Sequence, residues 1–360
     1  MQPGVLGRPP GLVLLERVPR AAVRALAGPA EALAAALGAD KGDGRLGHGE
    51  TVPRPGRLAR AAVPFYTLLA FLLVNSRRRP DLPPGRRRVE SANPIRSFKG
   101  RGADYLLHRF AAKDHGFVCA SAGNFGQGMA YACRKRGVPL TVFAARGANP
   151  LKIERMRGLG ASVILQGDDF DQAKDAAKQH ATQSGQNYIE DGRLGPIAEG
   201  AATMAVELTE REELDAMFIP LGNGSLVNGI GTWLKHASPK TRVIGVCAEG
   251  APSMALSWQA HKPIDAPSNS IADGIAVRVP IPDAVRIMSG TVDEVMLVSD
   301  DEMRNAMRYL FLDAGLVIEP AGAAGVAAIA KVASDWSGRR IAAILTGGNL
   351  TEAQVRDWLY

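Results

Sequence analysis

The chain of 360 residues reads as an α/β protein with two lobes of mainly parallel sheet covered by helices. Three observations predict this. From residue 97 onward, short β-prone apolar runs alternate with stretches of helical spacing, the pattern of repeated βα units. Two of those runs end in turns of small residues, Ser121-Ala122-Gly123-Asn124 and Gly222-Asn223-Gly224-Ser225-Leu226, and ligands of open α/β sheets bind beyond the carboxyl ends of strands. The length is sufficient for a large core and two or three lobes.

Taken in order, Ala103, Leu106, Leu107 and Phe110 recur at helical spacing, and Phe117–Ala120 is a short strand. Phe125, Met129, Ala132 and Cys133 fall on one helical face, before a strand at Leu140–Ala144. A helix is expected over 152–159, a strand at Ser162–Leu165, then helices over 170–183 and 201–208. Ala216–Pro220 is a strand that ends at the glycine loop, followed by a helix over 226–236. Strands are expected at 243–246 and 295–298. Asp300 is the expected N-cap of a helix running to 312, and 341–345 is the last core strand.

Upstream the character changes. Residues 21–37 look helical, but 42–88 carry Gly and Pro punctuation and no clear period. Ten arginines stand there against three acids (Asp43, Glu50, Asp81), a surplus equal to the whole net charge of +7. The excess is therefore not spread over the folded body. Arg77-Arg78-Arg79 and Arg86-Arg87-Arg88 are suited to phosphates, but no interleaved aromatics or zinc spacing accompany them, so specific nucleic-acid binding is not expected. The arginine bias and lost period are what a shifted reading frame in a GC-rich gene produces; a genuine insert is the rival reading. Either way the stretch is expected to add little to the core. The longest apolar run, 61–74, contains Pro64 and is shorter than the ~20 residues that span a bilayer, so no membrane segment is expected. Cys119, Cys133 and Cys247 show no metal spacing and no even disulfide set, and no signal pattern opens the chain. A reducing cytoplasm is the expected setting.

The chemistry concentrates in Asn93-Pro94-Ile95-Arg96-Ser97-Phe98-Lys99-Gly100-Arg101-Gly102-Ala103. Lys99 sits where an irregular segment turns into a helix. A Schiff-base lysine must lie in a cationic or apolar neighbourhood so that its amine can lose a proton, and Arg101 and the helix start are expected to supply it. Gly222-Asn223-Gly224-Ser225 joins a strand to a helix, so its backbone N–H groups and the helix N-terminus suit an anion. The spacing runs on to Gly229 rather than to a glycine at 227, so the dinucleotide fingerprint fails. Ser121 to Asn124 offers free N–H groups to a carboxylate, with a plain helix cap as the bland alternative, and Asn124 can donate to a phenolate-like oxygen. Thr346 in Thr346-Gly347-Gly348-Asn349 follows the last strand, where its hydroxyl can face a ring nitrogen.

With these segments in hand, the chain resembles the fold-type II pyridoxal-phosphate enzymes, and most the threonine/serine dehydratases (ammonia-lyases), from about residue 89 to the C-terminus. Other motifs in family order are Lys152-Ile153-Glu154-Arg155-Met156-Arg157-Gly158-Leu159-Gly160-Ala161, Ser270-Ile271-Ala272-Asp273-Gly274-Ile275-Ala276-Val277 and Glu319-Pro320-Ala321-Gly322-Ala323-Ala324-Gly325. The resemblance implies a tryptophan synthase β-like fold. Its large cofactor domain would comprise 91–114 and 195–360, and its small mobile domain 115–194, after an atypical segment 1–90. It implies pyridoxal 5'-phosphate as cofactor and Lys99 as the catalytic lysine that carries it. Asn124 would meet the pyridoxal hydroxyl oxygen, Gly222, Asn223, Gly224, Ser225 and Leu226 would cradle the phosphate, and Thr346 would face the pyridine nitrogen. Ser97, Ser121, Ala122, Gly123 and Asn124 would hold the substrate. It also implies a homodimer acting on a small amino acid: β-elimination of L-threonine or L-serine to a 2-oxo acid and ammonia. The alternatives are β-replacement, a threonine-synthase-like reaction, or an inactive cofactor-binding relative. A hydroxyl at the ring nitrogen implies a weaker electron sink than a carboxylate would give, which favours elimination over transamination. Ala122 stands where racemase relatives carry a serine.

Departures from the family pattern are specific. Phe125 stands where dehydratases commonly have His, and Asn223 and Ser225 interrupt an often all-glycine loop. Cys247-Ala248 replaces the Glu-Pro of metal-binding relatives, so no metal is expected. No Thr-Pro-Leu segment precedes the lysine motif, and with Tyr360 the last residue no regulatory domain of the biosynthetic-deaminase kind is expected.

Overall fold

The computed structural model describes residues 90–110, 115–209, 213–337 and 339–360. The expectations for 21–37, 42–88 and 61–74 lie outside the described residues.

The chain enters through a short 3-10 turn, Glu90–Ala92, and an irregular bend. Asn93 Oδ1 fixes the bend by accepting from the backbone N–H of Ile95 and Ser97 at 3.1 and 3.2 Å. Arg96 there takes φ 53°, a left-handed conformation that L side chains rarely adopt. Helix α1 (Lys99–Arg109) follows and buries Gly102, Ala103, Leu106 and Leu107.

A first sheet is built from β1 (Phe117–Ala120), β2 (Leu140–Ala144), β3 (Ser162–Leu165) and β4 (Asn187–Ile189), in the order β3-β2-β1-β4. Its intervening helices are α2 (Asn124–Arg136), α3 (Pro150–Gly158) and α4 (Phe170–Ser184). All pairings are parallel, with Phe117 opposite both Leu140 and Asn187. After α5 (Gly195–Thr209), a second four-stranded sheet forms from β5 (Ala216–Pro220), β6 (Arg242–Ala248), β7 (Glu294–Val298) and β8 (Ile341–Ala343), in the order β7-β6-β5-β8. It too is wholly parallel. The helices between are α6 (Ser225–Ala237), α7 (Ser253–Ala260), α8 (Pro282–Thr291), α9 (Asp300–Ala314) and α10 (Pro320–Lys331), and α11 (Glu352–Leu359) follows β8. Every residue of β2 and β5 is buried, which is why these strands read as unbroken apolar runs.

Three differences from the sequence reading have physical causes. The N-cap of α9 is Ser299, not Asp300: the Ser299 hydroxyl accepts from the Glu302 N–H at 3.1 Å while the Glu302 carboxylate accepts from the Ser299 N–H at 2.8 Å. That reciprocal pair is a capping box, and it moves Asp300 into the first turn. The last strand stops at Ala343 rather than 345. The helix α10 escaped notice because Pro320 through Ile329 are all buried, so its small-residue sequence shows no amphipathic period.

α5 determines where Lys99 sits. An added Cβ at Gly102 would lie 2.8 Å from the Ile197 carbonyl oxygen, and one at Gly200 would lie 2.6 Å from that of Arg101. Only glycines allow α1 and α5 to approach this closely.

Candidate active site

A cavity of about 450 Å³ opens at the carboxyl ends of β1, β4 and β5, the size range of small-molecule sites. Lys99, Ser121 to Asn124, Gly222 to Leu226 and Thr346 all line it, so the structure brings together nearly every residue picked from the sequence.

Lys99 is not a solvated surface charge. Its Nζ donates to Asp191 Oδ2, and the two side chains are only 14% and 11% exposed. Nζ also lies 3.4 Å from Ser225 Oγ and 4.7 Å from the centre of the Phe98 ring. Arg101 is not the neighbour it was expected to be. Its guanidinium donates to Glu90 at 2.7 and 2.9 Å and to Glu207 at 2.8 and 3.1 Å, tying α1 to α5. Burial works against its charge, yet these carboxylates more than offset that, and its pKa lies above the ordinary value.

Ser97 is also corrected. It does not line the cavity; its side chain is fully buried and its Oγ accepts from the Lys99 N–H at 3.4 Å. Ser121 lines the cavity, but its Oγ accepts from Gly123 and Gly126 N–H at 3.2 and 2.9 Å. Its hydroxyl thus holds the turn at the start of α2.

Asn124 is held on both sides. Its Nδ2 donates to Glu319 Oε1 at 2.6 Å, and its Oδ1 accepts from Asn349 Nδ2 at 2.8 Å. Asn349 in turn accepts from Arg155 Nη1 at 2.5 Å. Asn124 keeps one amide hydrogen for a ligand. At the other wall, Gly224 is the N-cap of α6 at φ 91°, and no side chain caps that end. The first N–H groups of α6 therefore face the cavity turn without an internal acceptor, and the amine of Lys99 lies beside them. This cradle fits an anion tethered to a lysine-linked group. Thr346 is buried, and its carbonyl accepts from the Phe98 N–H at 2.9 Å, which locks the Thr346 turn to the lysine segment.

The sequence reading missed four cavity residues. Asp191 follows β4, a strand of three residues that gave no period of its own. Lys152 and Asp273 stand within the family-like motifs but carry no local signal of a role; they form an ion pair on the cavity wall. Glu319 likewise opens a family-like motif with no local signal of a role. Its carboxyl is 3% exposed, and burial raises its pKa to about 7, with Lys152 pulling it down and Asp273 pushing it up. A carboxyl whose folded pKa exceeds its unfolded value binds its proton more tightly when folded. The protein therefore loses stability as pH rises from about 4.5 to about 7 through this group. Glu319→Gln keeps the acceptor for Asn124 and is expected to remove that loss, about 3 kcal/mol at full ionisation. Thermal unfolding of both proteins at pH 5 and pH 8 checks it; an equal pH dependence in the variant refutes it.

The model of a family described as pyridoxal-phosphate dependent enzymes matches residues 88–347. The chain is 32% identical over 267 residues to the biosynthetic L-threonine dehydratase of Salmonella typhimurium, a match covering 72% of this chain and 52% of that protein. The chain thus spans about half the length of this curated relative. Among solved structures it is similar to maize serine racemase, with TM-score 0.70 and 27% identity over 75% of this chain and 84% of that one. It is also similar to the processed form of threonine deaminase isoform 2 from Solanum lycopersicum, with TM-score 0.72 and 25% identity over 87% of this chain and 97% of that one.

Proposed function

This chain belongs to the family of pyridoxal-phosphate dependent enzymes, and we propose that it is a lyase that eliminates water from L-threonine or L-serine, giving a 2-oxo acid and ammonia. The observation that carries this reading is the placement of Lys99 between the uncapped α6 N-terminus and a carboxylate, in a cavity that Thr346 also lines.

Lys99 would bear the cofactor, Gly222 to Leu226 would hold its phosphate, Asn124 would use its spare amide hydrogen on the ring oxygen, and Thr346 would meet the ring nitrogen. When bound, the cofactor draws electrons from the substrate α-carbon, weakly so where only a hydroxyl meets the ring nitrogen. The chain's own residues do the rest. The Ser121–Asn124 turn at the start of α2 would receive the substrate carboxylate on backbone N–H groups. Nζ of Lys99 would take the α-proton as general base. The β-hydroxyl then leaves, and the enamine set free hydrolyses to the 2-oxo acid and ammonia. Ala122 lines the cavity and has no proton to give from the opposite face, so reversal of configuration is not served. The lobe 115–194 would be the part that closes over the substrate, and a cytoplasmic homodimer is the assembly this reading expects.

The test is 2-oxo acid release from a panel of β-substituted amino acids, with D-serine measured beside pyruvate from L-serine. Threonine alone, without an added nucleophile, is expected to give 2-oxobutanoate, and D-serine is expected to form at well under a tenth of the pyruvate rate. Product only when a nucleophile is added would indicate β-replacement instead, and comparable D-serine and pyruvate rates would overturn the assignment of Ala122.

A further inference from the structure

We infer that Asp191 is the acid that protonates the departing β-hydroxyl, passing on the proton that Lys99 removes from the α-carbon. This rests on the elimination proposed above.

Hydroxide is a poor leaving group, so cleavage of the Cβ–O bond needs a proton at the oxygen. Lys99 acquires one proton per turnover and must lose it before the next. In the structure its ammonium has a direct carboxylate acceptor, Asp191 Oδ2. The second oxygen of that carboxylate, Oδ1, is buried and makes no hydrogen bond among the described residues. It is thus an acceptor without a partner on a side chain that lines the cavity. The other cations of the wall are engaged elsewhere: Lys152 by Asp273, Lys174 by Glu190 and Asp171, and Arg278 by Asp171 and Asp169.

The backbone sets Asp191 firmly. Gly192, the next residue, has φ 86°, and an added Cβ there would lie 2.4 Å from the Asn223 carbonyl oxygen. The turn carrying Asp191 is therefore pressed against the loop that starts α6, which fixes the backbone from which the carboxylate reaches Lys99.

The step balances. The Cα–H bond breaks and its proton joins Lys99 Nζ. That proton passes to Asp191, which becomes a neutral acid. The acid protonates the β-oxygen as the Cβ–O bond breaks, its electron pair leaves with the oxygen as water, and the new Cα–Cβ π bond forms from the pair left at the α-carbon. Lys99 ends as a free amine and Asp191 as a carboxylate.

A leaving group that needs no proton tests this. Asp191→Asn is expected to lower kcat with L-serine by ~10²–10⁴-fold, the range for loss of a general acid, while turnover of β-chloro-L-alanine falls less than ~10-fold. Asp191→Glu, which keeps the acid on a longer stem, is expected to recover part of the serine rate. Borohydride reduction should still fix pyridoxal phosphate on Lys99 in both variants, showing that cofactor binding survives. Equal losses for the two substrates, or no loss for either, overturn the role of Asp191. So does a Glu319→Gln variant that alone discriminates against serine, since Glu319 is another carboxyl that lines the cavity. Wild-type protein that yields no 2-oxo acid from serine, threonine or chloroalanine overturns the elimination itself, a result distinct from the first three.

Discussion

Lys99→Ala is expected to release no measurable 2-oxo acid, a loss of at least ~10³-fold, and to carry no borohydride-fixed cofactor. Two functions disappear together in this variant. On the proposed function, the covalent link to the cofactor would have no other amine at the same place, and the base that would take the α-proton is gone. The other lysines of the cavity wall do not replace it, because Lys152 is paired with Asp273 and Lys174 with Glu190. Alanine also leaves Asp191 as a nearly buried carboxylate without its partner, which costs about 3–5 kcal/mol. Loss of activity in Lys99→Ala alone is therefore ambiguous with unfolding. Lys99→Gln resolves this, since its amide still donates to Asp191 but cannot form the link. The glutamine variant is expected to lose less stability than the alanine variant, to remain folded at the assay temperature, and yet to stay unlabelled and inactive. Peptide mapping of reduced wild-type protein completes the test. A label at Lys152 or Lys174 would show that the wrong lysine has been assigned.

How much of this site was legible depends on how local its chemistry is. The turns at Ser121–Asn124 and Gly222–Leu226 could be read because small residues after an apolar run announce a strand-to-helix turn, and both turns do follow strands, β1 and β5. Lys99 could be read because a proline-started irregular stretch precedes it and a helix starts at it. Ser97 was misplaced for the same reason that Lys99 was found: adjacency in sequence suggested a shared role, whereas the irregular bend turns Ser97 into the fold and Lys99 into the cavity. Arg101 sits on the same helix as Lys99, but two residues along a helix do not share a face, and it meets Glu90 and Glu207 instead. Asp191 was illegible because its partner is 92 residues away and Glu-Asp-Gly reads as an ordinary turn. Glu319 opens the Glu319–Gly325 motif, but its raised pKa comes from burial among elements that the sequence does not place side by side.

Gly224→Ala is expected to weaken binding of pyridoxal phosphate by at least ~10-fold, about 1.4 kcal/mol, with a matching loss for inorganic phosphate. Gly224 lies at φ 91°, where an L side chain is strained by roughly 1–3 kcal/mol. There is also no room: its Cβ would come 2.9 Å from Ala284 Cβ and 3.1 Å from Asn228 Nδ2. Asn228 cannot move freely, because Nδ2 donates to the Ala284 carbonyl at 2.9 Å. Relief must come from the backbone at the start of α6, and the N–H groups that converge there would shift with it. Strain alone would lower stability without touching the ligand, so a control with the same strain is needed. Gly137 supplies it: φ is 66° at the C-terminal end of α2, and an added Cβ would meet nothing within 4 Å. Gly137→Ala is expected to lose ~1–3 kcal/mol in stability and to bind pyridoxal phosphate like the wild type. Titrations of both variants by absorbance, paired with urea unfolding, separate the two effects. Equal affinity in Gly224→Ala and Gly137→Ala would mean that the phosphate is not held at the α6 N-terminus, and the cradle assigned to Gly222 through Leu226 would fall with it.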